Sequence, residues 1–344
     1  MIQVLSALFV FGLVVIVHEL GHFVAAKKLG MRVSEFGIGF GPKLFSFQKG
    51  ETLYSLRAIP LGGFNKIDGM DPDEELNERS FVNQPILHRV IVIAAGSLMN
   101  LLLPVVLIFL LYVGIGIEQP VLDKAVIGTV MVDRPAAKAG LQDNDQVLAV
   151  NGVPVTNWVE MVQNIQTTPQ STPVTLQVER NGQKQELTIA ADWDEKAQKT
   201  TIGVMAKTTV VRTGVIEGAK LSVEKTVGII TGTASALYQM VTGKIDAELS
   251  GPIGVARMAG EVASTSGWVG LLSFAAFLSV NLGMMNLLPI PALDGGHLLI
   301  LLAEAVRGKP LNSKQVQRIQ SFGIALLLTL FLWVTFQDIF KIFN

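Results

Sequence analysis

Four apolar stretches, Ile2–Ala26, Val90–Gly116, Val269–Val306 and Phe322–Ile342, are long enough to cross a bilayer as helices. In hydrocarbon only a helix or a closed barrel satisfies its own backbone groups, so runs of this length predict spanning helices. A fifth candidate, Thr226–Thr242, is interrupted by Thr, Ser, Gly and Gln and reads as a helix lying on the membrane surface, since a span there would reverse the two that follow. Between the second and third stretches the pattern changes to short alternating segments. Ala125–Val130 and Gln146–Val150 read as strands, Ala136–Leu141 as a short helix ended by Gly140, and Trp158–Ile165 as an amphipathic helix. Val174–Arg180 and Gln185–Ile189 pair across Asn181-Gly182, and Thr201–Val204 supplies a last strand. A stretch of about eighty such residues can enclose its own core. Nearer the N-terminus, Leu53–Ile59 alternates as a strand that Gly62-Gly63 turns back toward Asn65–Ile67. Gly37–Gly41 reads as a tight turn, because no Lys-Ser or Lys-Thr follows to make it a phosphate cradle.

Composition agrees with a membrane protein. Half of the residues are hydrophobic and 16% are charged, and the mean hydropathy is +0.47, too apolar for an ordinary soluble chain of this length. A net charge of -1 argues against a nucleic-acid partner. With no cysteine, disulfides and thiolate metal ligands are excluded. The first stretch has no Lys or Arg ahead of it and no convincing cleavage site, so it reads as a span and not as a removable signal. Lys and Arg crowd the loop from Lys27 to Arg89, and Arg307, Lys309, Lys314 and Arg318 separate the last two stretches. Both loops are therefore expected in the cytoplasm, which places Ile117–Trp268 and both termini outside.

Within the first span lies His18-Glu19-Leu20-Gly21-His22. On a helix, residues four apart lie one turn above each other, so both imidazoles can share a metal while Glu19 projects beside them to take a proton from water. Ionisable groups at that depth are costly and mark function. Two histidines leave a catalytic zinc short of a third protein ligand. The third span offers Asn286-Leu287-Leu288-Pro289-Ile290-Pro291-Ala292-Leu293-Asp294-Gly295-Gly296-His297, whose prolines and glycines break an otherwise apolar helix and free backbone groups that must line a protein-enclosed cavity. Asp294 needs a partner in the membrane and His297 lies one turn further on; spacing leaves both open as the third ligand. Glu304 reads as a solvated partner of Arg307.

These motifs together resemble the site-2 protease family of intramembrane zinc metalloproteases, and within it the bacterial regulators of sigma-factor release. Gly37–Pro42, Ile59–Phe64, Ala94-Ala95-Gly96 with Asn100, and Leu249–Gly254 match the same family, so the resemblance covers nearly the whole chain. It implies zinc held by His18, His22 and Asp294, with Glu19 as the acid/base. It implies that Asn286, Pro289, Pro291, Gly62 and Gly63 meet the substrate, and that Leu53–Ile67 is a membrane-associated β-hairpin. Pro135–Asp145, followed by a strand and Asn151-Gly152, resembles a bacterial PDZ domain, whose peptide groove would lie along Ile202, Gly203 and Val204. One such module stands here, where the Gram-negative envelope-stress members carry two.

The expected architecture is an α-helical polytopic membrane protein: four transmembrane helices, a membrane-associated β-hairpin and an inserted α+β PDZ domain. Residues 1–116 and 269–344 form the two halves of a protease core, 121–206 the extracytoplasmic PDZ domain and 207–268 a membrane-surface region. The expected function is zinc-dependent cleavage of single-span membrane proteins, such as anti-sigma factors or remnant signal peptides, in the bacterial cytoplasmic membrane. A peptide ligand of the PDZ domain is a further expected partner. The alternative is a non-catalytic membrane adaptor with a structural metal.

Overall fold

The computed structural model describes residues 2–70, 76–195, 199–244 and 250–343. Leu249, which opens the last family-matching segment, lies outside them, as does part of the expected surface region 207–268. The chain divides into two compact units, one formed by Met1–Ile115 with Gly214–Asn344 and the other by Gly116–Thr213. Among the described residues four helices are long and apolar enough to cross a membrane: Ile2–Lys28, Ile86–Ile115, Pro252–Asn286 and Lys314–Phe340.

The first unit opens with helix α1 (Ile2–Lys28), strands β1 (Val33–Lys49) and β2 (Thr52–Ile67), and helix α2 (Ile86–Leu110), which ends in a π-turn at Leu111–Ile115. After the second unit come α5 (Val215–Val241), α6 (Pro252–Asn286), α7 (Asp294–Arg307) and α8 (Ser313–Phe343). Helices α1, α2 and α6 pack against one another in a three-way bundle, and α5 packs on α2 and α6. Small residues set how closely they approach, as expected where lipid gives no hydrophobic drive between helices. A Cβ on Gly21 would come within 2.4 Å of the Ala95 carbonyl oxygen, and one on Gly283 within 3.0 Å of the Ser97 carbonyl oxygen. The third apolar stretch is two helices. α6 starts at Pro252, well before Val269, bends at Gly267 (φ 55°) and stops at Asn286, and α7 begins at Asp294.

The strands depart from expectation. The turn joining β1 to β2 is at Gly50-Glu51, and Gly37–Gly41 is not a turn but a break inside β1, with Gly39 at φ 86° and Gly41 at φ 83°. Asn65–Ile67 does not fold back on Leu53–Ile59. It pairs instead with the start of β1: Phe36 faces Asn65 on one side and Tyr54 on the other, while Phe47 pairs with Tyr54 further along. The hairpin is thereby doubled into a small sheet whose outer strand is Gly63–Ile67. Gly39, Gly41 and Gly62 supply positive-φ kinks within extended runs and not chain reversals. Glu51 holds the tip to the end of α1, accepting from Lys27 Nζ (2.5 Å) and from both terminal nitrogens of Arg79 (2.7 and 2.9 Å).

Glu304 is also corrected. It is buried and pairs not with Arg307 but with Arg89 of α2 (2.9 Å), and it accepts the Leu311 N–H (3.0 Å). One carboxylate thus ties α7 to α2 and to the loop before α8. Helix α8 is tied to the rest of the unit by small and capping residues. Gly323 lies against Pro291, where a Cβ would come within 2.2 Å of the carbonyl oxygen, and Asp338 caps the start of α6 by accepting from the Gly251 (3.1 Å) and Gly254 (2.8 Å) amides.

In the second unit the sequence-predicted elements are found with small shifts. β3 (Ile117–Pro120) pairs with β12 (Thr208–Val211) where the chain enters and leaves. Between them come β4 (Ile127–Val130), α3 (Pro135–Lys138), β5 (Gln146–Val150), β6 (Val153–Pro154), α4 (Trp158–Gln166), β7 (Val174–Arg180), β8 (Gln183–Ile189), β9 (Asp192–Asp194), β10 (Lys199–Thr201) and β11 (Val204–Ala206). A four-stranded sheet in the order β6-β5-β7-β8 packs Val147, Val150, Leu176 and Val178 against Ile127, Leu141 and Met161. Asp145, 1% exposed, closes this core from the side, with Arg180 gripping both of its oxygens at 2.7 and 2.6 Å. The expected strand Thr201–Val204 is interrupted: β10 ends at Thr201, Gly203 takes φ 81° against Arg134, and β11 starts at Val204.

Candidate functional site

The crossing of α1 and α2 creates the site. Glycine at position 96 gives the His22 ring its room, since a Cβ there would sit 2.2 Å from His22 Nε2. His22 Nδ1 lies 2.8 Å from the Val92 carbonyl oxygen. A carbonyl can only accept, so Nδ1 carries the hydrogen and Nε2 is left as the free donor atom for a metal. His18 stands one turn earlier, its Nε2 3.2 Å from that of His22. Its Nδ1 lies 3.4 Å from the Asn100 side-chain amide, while Asn100 Oδ1 is buried without a partner. With the amide oxygen turned toward the ring, His18 Nδ1 donates to Asn100 and Nε2 is left free on the side of His22 and Asp294.

Asp294 completes the group from the first turn of α7. Its oxygens lie 3.6 Å from His18 Nε2 and 3.6 Å from His22 Nε2, and Ser97 Oγ donates to it at 2.9 Å. Among the described residues these three are the cluster able to hold a metal, with donor atoms within 4.8 Å of one another. Tetrahedral zinc with bonds of about 2.0–2.1 Å would separate its ligand atoms by about 3.3 Å; the two histidine nitrogens lie 3.2 Å apart and each lies 3.6 Å from a different oxygen of Asp294, so a small turn of the carboxylate fits the set to that ion. Nitrogen and oxygen donors in a two-to-one set leave a fourth position open, as a catalytic zinc requires. His297 lines the same cavity but is held apart from the cluster, with Gln320 Nε2 of α8 3.3 Å from its ring; the same Gln320 accepts the Ala292 N–H at 2.7 Å.

The cavity is lined by His18, Glu19, His22, Asn286 and Asp294, and on the strand side by Gly62–Asn65. Asn286 Nδ2 lies 3.4 Å from His18 Nε2, and a Cβ on Gly63 would come within 2.9 Å of Glu19 Cγ. Pro289 and Pro291 do not line it; they shape the nonhelical segment that presents Asp294, Pro291 against Gly323. Sequence reasoning missed Asn65, Ser97 and Gln320. The signal was present for two of them, as Ser97 and Gln320 are polar groups in apolar helices. Asn65 carries no such mark. In the second unit, Gly203 and Val204 border a separate cavity with Arg134, Trp158, Val162 and Thr200, while the Ile202 side chain also belongs to the core.

A helical membrane unit that gathers two imidazoles, a carboxylate and a neighbouring glutamate defines a membrane-embedded metallopeptidase, and comparison with known proteins agrees. Residues 6–330 match the family model described as Peptidase family M50, and the chain belongs to that family. It is 35% identical to a Clostridium acetobutylicum protein described as a candidate zinc metalloprotease, over 98% of this chain and 97% of that one. It is 30% identical to the regulator of sigma-W protease RasP of Bacillus subtilis, over 99% of each chain. Among solved structures, the PDZ domain of an SdrC-like protein from Listeria monocytogenes matches 24% of this chain and 87% of its own length, at 19% identity and a TM-score of 0.23. The protein is a membrane zinc metalloprotease of the site-2 type, and the non-catalytic adaptor reading falls.

Proposed function

We propose that the enzyme cuts single-span membrane proteins inside the bilayer, with His18, His22 and Asp294 holding zinc and Glu19 moving the proton. The observation that carries this reading is the cluster itself: three donor atoms gathered from the spanning helix α1 and the first turn of α7, with Glu19 beside them in a cavity bordered by a strand. Zinc, when bound, supplies a Lewis acid that polarises the amide carbonyl and acidifies water. Glu19 takes a proton from the attacking water and returns it to the leaving nitrogen. Asn286 binds substrate main chain at the mouth of the cavity. The outer strand Gly63–Ile67 offers an edge on which an unwound substrate segment can pair, which matters because a helical substrate hides its scissile amide in its own hydrogen bonds.

The basic loops support a cytoplasmic position for the strands and for the α7–α8 connection, with the second unit and both termini outside. Cleavage then frees a cytoplasmic product. The sigma-W name of the B. subtilis relative favours an anti-sigma factor as substrate over a remnant signal peptide. For the second unit we adopt a PDZ domain with its groove between α4 and Ile202–Val204, supported by the order of its strands and helices and by the cavity there. Incubating the purified protein with a model single-span substrate, with and without a zinc chelator, tests the central reading. Chelator-sensitive cutting within the substrate's apolar segment is expected, and cutting confined to its soluble flanks would refute it.

A further inference from the structure

Asn65 occupies the outer strand of the sheet, two residues beyond the glycine that faces Glu19. Its side-chain Nδ2 donates twice, to the Glu19 main-chain oxygen and to Glu19 Oε2, both at 2.7 Å. Its Oδ1 is buried and has no hydrogen-bond partner among the described residues. The orientation of the amide is therefore not arbitrary. The Glu19 main-chain oxygen can only accept, so the nitrogen must face it and the oxygen must point away. A buried carbonyl left bare is unusual and needs a reason. Here the side chain gives up its own full satisfaction to keep two hydrogen bonds on one glutamate.

Those two bonds fix different things. The bond to the main-chain oxygen ties the strand to α1 at the level of the metal cluster. The bond to Oε2 occupies one oxygen of the carboxylate and leaves Oε1 as the atom free to accept a proton. Donation from a neutral amide does this without an added charge beside the cluster, which a Lys or Arg at the same place would bring. Among the described residues, no other side chain is seen to donate to the Glu19 carboxylate.

We propose that Asn65 is a positioning residue of the peptidase reaction: it orients Glu19 from the sheet, so that placement of the substrate-binding strand and aim of the acid/base are set by one side chain. This rests on the assignment of Glu19 above. Among the described residues its side-chain hydrogen bonds go to Glu19 and to none of the three ligand side chains, so it acts on proton transfer and not on metal binding.

The test compares Asn65→Leu, which keeps the size and removes the donors, with the parent enzyme on a single-span substrate. Expected are stoichiometric zinc and kcat reduced at least about tenfold, a larger change than any rise in KM from the loosened strand. Asn65→Thr, a strand-favouring side chain that retains one donor, should recover part of kcat. In a Glu19→Asp background, where the carboxylate is already withdrawn, Asn65→Leu should cost less than about threefold, because effects transmitted through one group do not multiply. Loss of zinc from Asn65→Leu, no recovery in Asn65→Thr, or equal losses in both backgrounds would overturn the proposal. Activity remaining in Glu19→Gln would instead overturn the assignment of Glu19, and is read separately.

Discussion

At the scale of single residues, ligands and acid/base should separate cleanly by metal content. Glu19→Gln should abolish cutting and keep full zinc, whereas His18→Ala, His22→Ala and Asp294→Ala should lose both. Metal analysis of purified variants decides this; full zinc in Asp294→Ala with loss in His297→Ala would reverse the ligand assignment. A less obvious variant follows from packing. Gly96→Ala places a methyl 2.2 Å from the ligand nitrogen of His22, with the backbone of both helices fixed around it, so zinc should bind at least about tenfold more weakly although no donor atom changes. Unchanged affinity by chelator competition would show that the α1–α2 crossing can widen. The sequence announced His18, Glu19 and His22 because helical periodicity alone brings them together. It left Asp294 and His297 tied, because that choice depends on where a helix restarts after Leu287–Leu293. Glu304 was misread for a similar reason: its partner Arg89 lies on another helix, invisible to a reading of neighbours along the chain.

At the scale of elements, the helices were legible and the strands near the membrane were not. Apolar length fixes a spanning helix whatever its neighbours, but strand pairing among Gly-rich segments depends on partners, and Gly37–Gly41 and Gly62-Gly63 fit turns and kinks equally well. The hairpin's attachment is testable through Glu51. Hydrogen bonds from Arg79 and Lys27 hold its carboxyl down to about 2, from an ordinary value of 4.5. The folded-state value is the depressed one, so the attachment is fully present above about pH 4.5 and is lost as pH falls toward 2. Hydrogen exchange of residues 43–57, corrected for intrinsic rates, should be flat from pH 7 to 5 and rise below it, with Glu51→Gln raised already at neutral pH. An onset near pH 6 would assign the attachment to another group. In the second unit, Asp145→Ala should remove the charged hydrogen bonds that hold the half-buried Arg180 guanidinium and cost about 1.5–3 kcal/mol in chemical unfolding.

At the scale of the whole molecule, composition and four apolar runs were enough to foresee four long apolar helices and a separate β-rich unit between the second and third, because apolar length and a change of pattern show without detailed packing. What they left hidden is the segmentation of the third run, where α6 ends at Asn286 and α7 starts only at Asp294. Orientation remains a matter of charge. Lys and Arg crowd the segment between α1 and α2 and the one between α7 and α8, and short basic loops stay in the cytoplasm. The cysteine-free chain lends itself to a labelling test with single introduced thiols. A cysteine at Gly50, in the hairpin turn, should resist an impermeant thiol reagent in intact cells and react after permeabilisation, while one at Asn181, in the β7–β8 turn, should react in both. Labelling at Gly50 in intact cells would invert the protein and send its product to the opposite side of the membrane. An anti-sigma factor could then not be its substrate, because a sigma factor is released only where RNA synthesis takes place.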